Sequence, residues 1–165
     1  MIAKSSILQN IKNLDALYSK ATSQKKSLFY AKLAILELSG WIEESMDDIV
    51  LRFATKHLKE IPNQDFVRKE VVGRTNSFTY ERHFRPRLVK LVGIVRIERL
   101  ESKIDQVKFQ QLKQSLTALK YARDTEAHTH LKGTTRRLDA PSVTKQHFFS
   151  VYEGLLELEG GLKRL

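Results

Sequence analysis

The chain has 165 residues, no cysteine and a formal charge of +10 at pH 7. Without cysteine it cannot hold a disulfide framework, a thiolate zinc site or a cysteine nucleophile. Charged residues interrupt every apolar stretch well before the roughly 18 residues that a membrane span needs, and the start, MIAKSSILQN, lacks the apolar core of a signal peptide. We therefore expect one cytoplasmic domain over residues 1–165. Its charge favours a polyanionic partner but does not choose among RNA, DNA and an anionic membrane surface.

The first third of the chain has apolar residues at every third or fourth position, which predicts two amphipathic helices. The apolar residues of the first are Ile7, Ile11, Leu14 and Tyr18. The second is longer and ends before Pro62. Its apolar residues are Leu28, Ala31, Ile35, Leu38, Ile42, Ile49 and Phe53. We interpret Trp41 in this helix as part of the core.

Four acidic residues follow Trp41 with helical i,i+4 spacing. They are Glu43, Glu44, Asp47 and Asp48. Paired carboxylates of this kind can bind a cation. The other interpretation is an ordinary acidic face in contact with solvent. We predict no metal site and no cofactor.

The positive charge is concentrated in residues 68–103, where ten lysines and arginines face four acidic residues, a net +6. At its centre the sequence RHFRPR, residues 82–87, surrounds an aromatic ring with cations, as in surfaces that hold phosphates and stack bases. A solvated helix face or loop is the alternative. The candidate RNA-binding residues here are Arg82, Arg85, Arg87 and Lys90.

Residues 63–85 are expected to be irregular, and Pro86 is expected in the first turn of a third long helix. The apolar residues assigned to that helix are Leu88, Leu91, Val92, Val95 and Ile104. Asp105 is the predicted cap of a fourth helix. The inward stripe of the fourth helix consists of Phe109, Leu112, Leu116 and Leu119.

Gly133 and Pro141 bracket a polar loop, after which Ser142 or Thr144 is expected to cap a last helix. Its apolar face is Phe148, Val151, Leu155, Leu158 and Leu162. Gly160 and Gly161 are expected to weaken and end it. Since no useful β-alternation occurs, the predicted fold class is all-α, an antiparallel bundle of about four long helices with short additional helices.

Common catalytic signatures are missing: the sequence has no G-x-S-x-G elbow, phosphate loop, dinucleotide motif or H-E-x-x-H. The unusual segment is YARDTEAHTH, residues 121–130. The preceding stripe predicts an apolar residue at 123, yet Arg123 stands there, so it is either paired with a carboxylate or available to a phosphate. Asp124 and His128 are i,i+4 neighbours, which lets the carboxylate orient the imidazole and favour its protonated form.

Ideal helical geometry separates Arg123 from His128 by about 140°, whereas His130 returns to the arginine face. Either the helix loosens there, or His128 faces another surface, such as that of a second subunit. A salt-bridged arginine beside a surface histidine is the competing interpretation.

The motif Arg123-Asp124-x-x-Ala127-His128 follows a run of leucines and precedes a glycine. It resembles the R-x-x-x-x-H signature of the HEPN superfamily. The motif falls on a late helix, before a short loop and one closing helix, and the long helix containing LAILELSGWIEESMDDI precedes it. This arrangement is similar to that of stand-alone HEPN ribonucleases of the RiboL-PSP-HEPN type.

The resemblance implies a bundle that forms a homodimer with both motifs in one cleft, and metal-independent RNA cleavage in phage defence or a toxin–antitoxin setting. Arg123 would bind the scissile phosphate, His128 would act as general acid and base, and Asp124 would occupy the orienting position. His130 stands where antitoxin-paired members have a tyrosine, which puts nucleotidylation there in doubt and makes it a second candidate for proton transfer. Further candidate RNA-binding residues follow the motif: Lys132, Arg136 and Arg137.

The implied partners are RNA, a second copy of the chain and an antitoxin or neighbouring protein, with no membrane. One alternative is a non-catalytic HEPN-like module that binds RNA or protein, in which Arg123 and Asp124 form structural ion pairs. Another is a helical adaptor whose basic face binds an acidic partner.

Overall fold

The computed structural model describes residues 2–74, 77–127 and 137–165, and its regular structure is entirely helical there. The predicted all-α class is therefore confirmed. The α-helices are α1 (Ser5–Ser19), α2 (Gln24–His57), α3 (Ile61–Phe66), α4 (Arg85–Val92), α5 (Ile94–Lys103), α6 (Gln106–Ala127) and α7 (Pro141–Lys163). Within the described ranges, none of these helices is long and apolar enough to cross a membrane.

The four longest helices, α1, α2, α6 and α7, pack together as a bundle. Ion pairs between their side chains show the helix directions. Lys108 near the start of α6 pairs with Glu157 near the end of α7 at 3.3 Å, and Lys145 at the start of α7 pairs with Asp15 near the end of α1 at 3.4 Å. Hence α7 runs antiparallel to both α6 and α1.

Helices α2 and α7 instead run in the same direction. Trp41 lies beside Phe148, with ring centroids 5.1 Å apart, and eleven residues further along each helix Arg52 approaches Glu159 at 3.4 Å. Since α6 runs antiparallel to α7, it also runs antiparallel to α2, so the four long helices alternate in direction along the chain as in an up-and-down bundle. The Trp41 indole also donates a hydrogen bond to the Ala3 carbonyl at 2.8 Å, so it holds the N-terminal segment onto the bundle.

The predicted apolar stripes of α6 and α7 are buried. They contribute Phe109, Leu112, Leu116, Leu119, Phe148, Val151, Leu155, Leu158 and Leu162 to the core. A Cβ added at Gly154 would lie only 2.5 Å from the Leu112 Cβ, so this glycine allows α6 and α7 to approach closely. The prediction that Gly160 and Gly161 end the last helix is wrong. Helix α7 continues to Lys163, and Gly161 lies against α5, where a Cβ would meet Leu100 Cγ at 3.0 Å.

The segment between α2 and α4 is more regular than expected. Helix α3 runs directly into a π-helical stretch, Val67–Val72, and a second π-helical stretch, Tyr80–Phe84, precedes α4. The predicted third long helix is in fact two helices. Gly93 separates α4 from α5 with a φ of +88°, a conformation that L side chains rarely adopt and that breaks the helical hydrogen-bond pattern.

Of the N-caps predicted for the last two helices, the structure has the first and not the second. Asp105 caps α6, because its carboxylate accepts hydrogen bonds from the amides of Val107 at 2.9 Å and Lys108 at 3.1 Å. Neither Ser142 nor Thr144 caps α7. That helix begins earlier, at Pro141, whose φ already suits the first turn. The residue before it, Ala140, has no side chain that could cap the helix, and its carbonyl accepts from the Val143 amide at 2.9 Å.

Candidate nucleic-acid interface

Arg123 projects from the last turns of α6 towards α2, as its place in the apolar stripe predicted. Its Nη2 lies 2.6 Å from Glu43 Oε1, and its Nη1 lies 3.3 Å from Asp124 Oδ1. The guanidinium carbon also lies 5.5 Å from the centre of the Phe78 ring. The side chain is 22% exposed. Of the two interpretations drawn from the sequence, the structure shows the paired arginine, whose partners are the carboxylates of Glu43 and Asp124.

Asp124 joins two cations of α6. Besides Arg123, its carboxylate accepts a hydrogen bond from Lys120 one turn earlier. The predicted contact between Asp124 and His128 cannot be placed, because His128 lies outside the described residues. The same holds for three other predicted site residues: His130, Lys132 and Arg136.

Three of the four acidic residues that follow Trp41 in α2 form ion pairs with arginines. Glu43 binds Arg123, and Asp47 lies 2.5 Å from Arg87 of α4. Burial raises the pKa of Asp47, although the Arg87 charge and hydrogen bond oppose that shift. Asp48 pairs with Arg52 at 3.2 Å, one turn further along α2. Neither a cation site nor a uniformly solvated face therefore describes this edge, which connects α2 to α4 and α6.

The basic residues predicted to form one surface around residues 82–87 differ in how far they are buried. Arg87 is only 2% exposed and holds Asp47, so its assignment to an RNA-binding surface is wrong: a guanidinium buried in an ion pair cannot reach an external phosphate. Arg85 is half-buried and donates to Glu101 of α5 at 2.7 Å. Burial, with the Glu101 hydrogen bond second, raises the pKa of Tyr80, whose hydroxyl donates to the same carboxylate.

Other predicted basic residues remain at the surface. Arg82 and Lys90 are exposed. Arg137, also exposed, lines a cavity of about 780 Å³ near the end of α6, together with Tyr18, Tyr121 and the buried Glu126. Of the predicted RNA-binding residues that the structure describes, Arg82, Lys90 and Arg137 are thus accessible without breaking a buried contact.

A basic groove of about 510 Å³ lies between α6 and the π-helical stretch Tyr80–Phe84. One wall carries Arg82 and His83, and the other carries Lys113 and Lys120 from α6. The π-helical backbone determines which side chains line it. The Phe84 amide donates to the Thr79 carbonyl at 3.1 Å, five residues back. Tyr80 and Phe84 are buried, while the residues between them, including Arg82, remain accessible.

The His83 imidazole is held in this wall. Its Nδ1 lies 2.6 Å from Thr79 Oγ1, within one turn of the chain. Burial lowers the pKa of His83, and the nearby positive charges of Lys120, Arg87 and Arg82 lower it further. The imidazole is therefore predominantly neutral at pH 7. It offers a titratable nitrogen beside cations that attract phosphate.

Lys113 and Lys120 were missed as site residues in the sequence. Together with Thr117 and Asp124 they recur every three or four positions on α6, a polar stripe that accompanies the apolar one. The polar stripe was visible in the sequence, but it forms a groove only where a second segment of the chain packs beside it. The partner is the stretch around Arg82, which the sequence suggested would be irregular.

Comparisons with known proteins leave the family undetermined. No protein-family model, curated protein or solved structure matches this chain. The resemblance to HEPN proteins therefore rests on the sequence motif at residues 123–128 and on its sequence context.

Proposed function

We propose that the protein is a metal-independent endoribonuclease of the HEPN type that holds RNA in the basic groove beside α6. The observation that carries the proposal is the connection between groove and motif. Lys120 lines the groove and shares the Asp124 carboxylate with Arg123. A phosphate chain held by Arg82 and Lys120 would therefore pass within one helical turn of Arg123.

The proposed reaction begins with attack of an RNA 2′-hydroxyl on the adjacent phosphorus. The bond from phosphorus to the 5′-oxygen breaks, leaving a 2′,3′-cyclic phosphate and a 5′-hydroxyl. A general base takes the 2′-hydroxyl proton, and a general acid returns one to the leaving oxygen, roles that we assign to His128 with His130 as the second candidate. Arg123 would exchange Glu43 for a phosphoryl oxygen as negative charge develops.

A second copy of the chain is part of this proposal, with an antitoxin or neighbouring protein as a further partner and the cytoplasm as its compartment. The α2 side chains Phe29 and Leu33, one turn apart, are 50% and 44% exposed. Exposed apolar residues on one helix face are the kind of surface that an isologous dimer covers. Light scattering that gave 19.1 kDa, rather than twice that mass, would remove the dimer from the proposal.

The decisive experiment is cleavage of a labelled single-stranded RNA, in EDTA, by wild type, Arg123→Ala and His128→Ala. Each substitution should lower kcat/KM by about 10² or more, because each removes a group that acts chiefly in the transition state. RNA with 2′-deoxyribose at the cleaved position should be resistant. Exposed Lys12 of α1 offers a matched control, since Lys12→Gln removes a positive charge far along the sequence from the motif. Full activity in both Arg123→Ala and His128→Ala would contradict the proposal.

The Arg123–Glu43 pair also favours a second candidate, a non-catalytic HEPN-like module that binds RNA. In that case the wild type binds RNA without cleaving it. Arg123→Ala then acts on stability alone, lowering the free energy of unfolding by about 1 to 2 kcal/mol as it leaves a partly buried Glu43 without its partner. Denaturation measured beside the cleavage assay separates the two candidates.

A further inference from the structure

A second cationic site lies away from the motif, where α5 meets the end of α7. It is a cleft of about 320 Å³ with an apolar floor formed by Leu100, Ile104 and Gly161. Its cationic residues are Arg96, Arg99, Lys103 and Arg164. All four are exposed. None of the described residues that line the cleft is acidic.

These four cations differ from Arg123 and Lys120 because no acidic partner for them lies in residues 2–74, 77–127 or 137–165. Within the described ranges, none of them forms an ion pair or a side-chain hydrogen bond. By contrast, Lys120 is held by Asp124 and Arg85 by Glu101. Four like charges around one cleft repel each other, and a bound anion would remove that repulsion.

Helix dipoles favour some of these cations at their positions, but not all of them. Lys103 and Arg164 lie at the ends of α5 and α7, where the helix dipole favours a cation. Arg96 lies in the first turn of α5, where the dipole disfavours one. A ligand would account for Arg96, which the local helix does not.

Three of the cations form a row along α5. Arg96, Arg99 and Lys103 are spaced three and four residues apart, so they share one face and span about 10 Å of the helix axis. That length exceeds a single phosphate group and suits a chain of phosphates. Arginine adds planar, bidentate recognition of phosphate oxygens to the charge.

We propose that this cleft is a second binding site for the phosphodiester backbone of RNA, separate from the groove beside α6. The proposal rests on the RNA-binding part of the proposed function and not on cleavage. A linear row of cations around a cleft fits an extended phosphate chain. An anionic lipid surface is the competing partner, because Ile94 and Val95 of α5 and Leu165 at the cleft are exposed apolar residues. Binding to anionic vesicles distinguishes that partner from RNA.

The test is fluorescence anisotropy of a labelled single-stranded RNA 20-mer with the full chain. The triple variant Arg96→Gln, Arg99→Gln, Lys103→Gln should weaken binding at least tenfold at about 0.1 M salt. It should also flatten the slope of log affinity against log salt by roughly two units, since each phosphate contact on a single strand contributes about 0.7. Arg164→Gln alone should act in the same direction with a smaller effect.

The matched control removes the same charge elsewhere. Lys12, Lys25 and Lys26 are exposed on α1 and the start of α2, and their replacement by Gln should change RNA affinity much less. Equal weakening by both triple variants would overturn the site, because only net charge would then matter. So would loss of binding to phosphatidylserine vesicles with RNA binding unchanged. A wild type that binds RNA without cleaving it would overturn the nuclease proposal but not this site, provided that the α5 variant still weakens binding.

Discussion

The cations of α4 and those of α5 are close in sequence but have different surroundings. Arg87 of α4 is buried against Asp47, whereas Arg96 and Arg99 of α5 are exposed and have no acidic partner in the part of the chain that the structure describes. Both groups belong to the basic segment that the sequence presents as one surface. The comparison shows that net charge along a segment does not identify the cations that a ligand can reach, because the carboxylates that neutralise some of them come from distant parts of the chain.

The largest effect expected from this comparison is on stability. Arg87→Met should lower the free energy of unfolding by about 3 kcal/mol, because Asp47 would remain half-buried without its partner. Chemical denaturation followed by circular dichroism measures this loss. Arg96→Met, the equivalent change at an exposed and unpaired arginine, should stay within about 0.5 kcal/mol of wild type. Similar values for the two variants would mean that the α4 and α5 cations do not differ as described.

A smaller effect separates two arginines of the RHFRPR sequence by their contribution to RNA binding. Arg82→Gln should flatten the slope of log RNA affinity against log salt by about 0.7, the contribution of one phosphate contact on a single strand. Arg85→Gln should leave the slope unchanged, because Glu101 already holds that guanidinium at 2.7 Å. Anisotropy titrations at several salt concentrations measure both. If Arg85→Gln flattened the slope as much as Arg82→Gln, RNA would have to displace Glu101 from Arg85.

The bundle was largely predictable because its long helices carry their own periodic signal. The buried stripes of α6 and α7, including Leu112 and Leu155, follow directly from apolar spacing. The middle of the chain was harder, since Gly93 interrupts a pattern that otherwise continues and π-helical turns have no simple sequence period.

The candidate site was only partly predictable, for a physical reason. The inward position of Arg123 was visible in the sequence, but its partner Glu43 lies 80 residues away on α2. The same applies to Arg87 and Asp47, which are 40 residues apart. Local spacing identifies a charge that needs a partner, whereas only the packing of helices decides whether the protein or a ligand supplies it.

The smallest expected effect is a pH dependence that distinguishes the groove from the α5 cleft. The groove contains His83, whose pKa is lowered by burial and by Lys120, Arg87 and Arg82, whereas no histidine lines the cleft. His83 is mostly neutral at pH 7 and gains a proton only as the pH falls below its ordinary value of 6.5. The added charge lies in the groove lined by Lys113 and Lys120, where Glu81 pairs with Lys113 at 3.6 Å, and a bound phosphate would favour it.

RNA affinity should therefore rise a few-fold between pH 7 and pH 5.5 in wild type, and this rise should shrink in His83→Gln. The triple variant of α5 should bind more weakly at every pH but keep the same rise, because it leaves His83 and the groove unchanged. Anisotropy titrations at constant ionic strength measure both. His147, whose pKa burial also lowers, is the control: it lies between α7 and α6, 3.1 Å from Ser115, and His147→Gln should leave the rise in affinity intact. A rise that persists in His83→Gln would place the titrating group outside the groove.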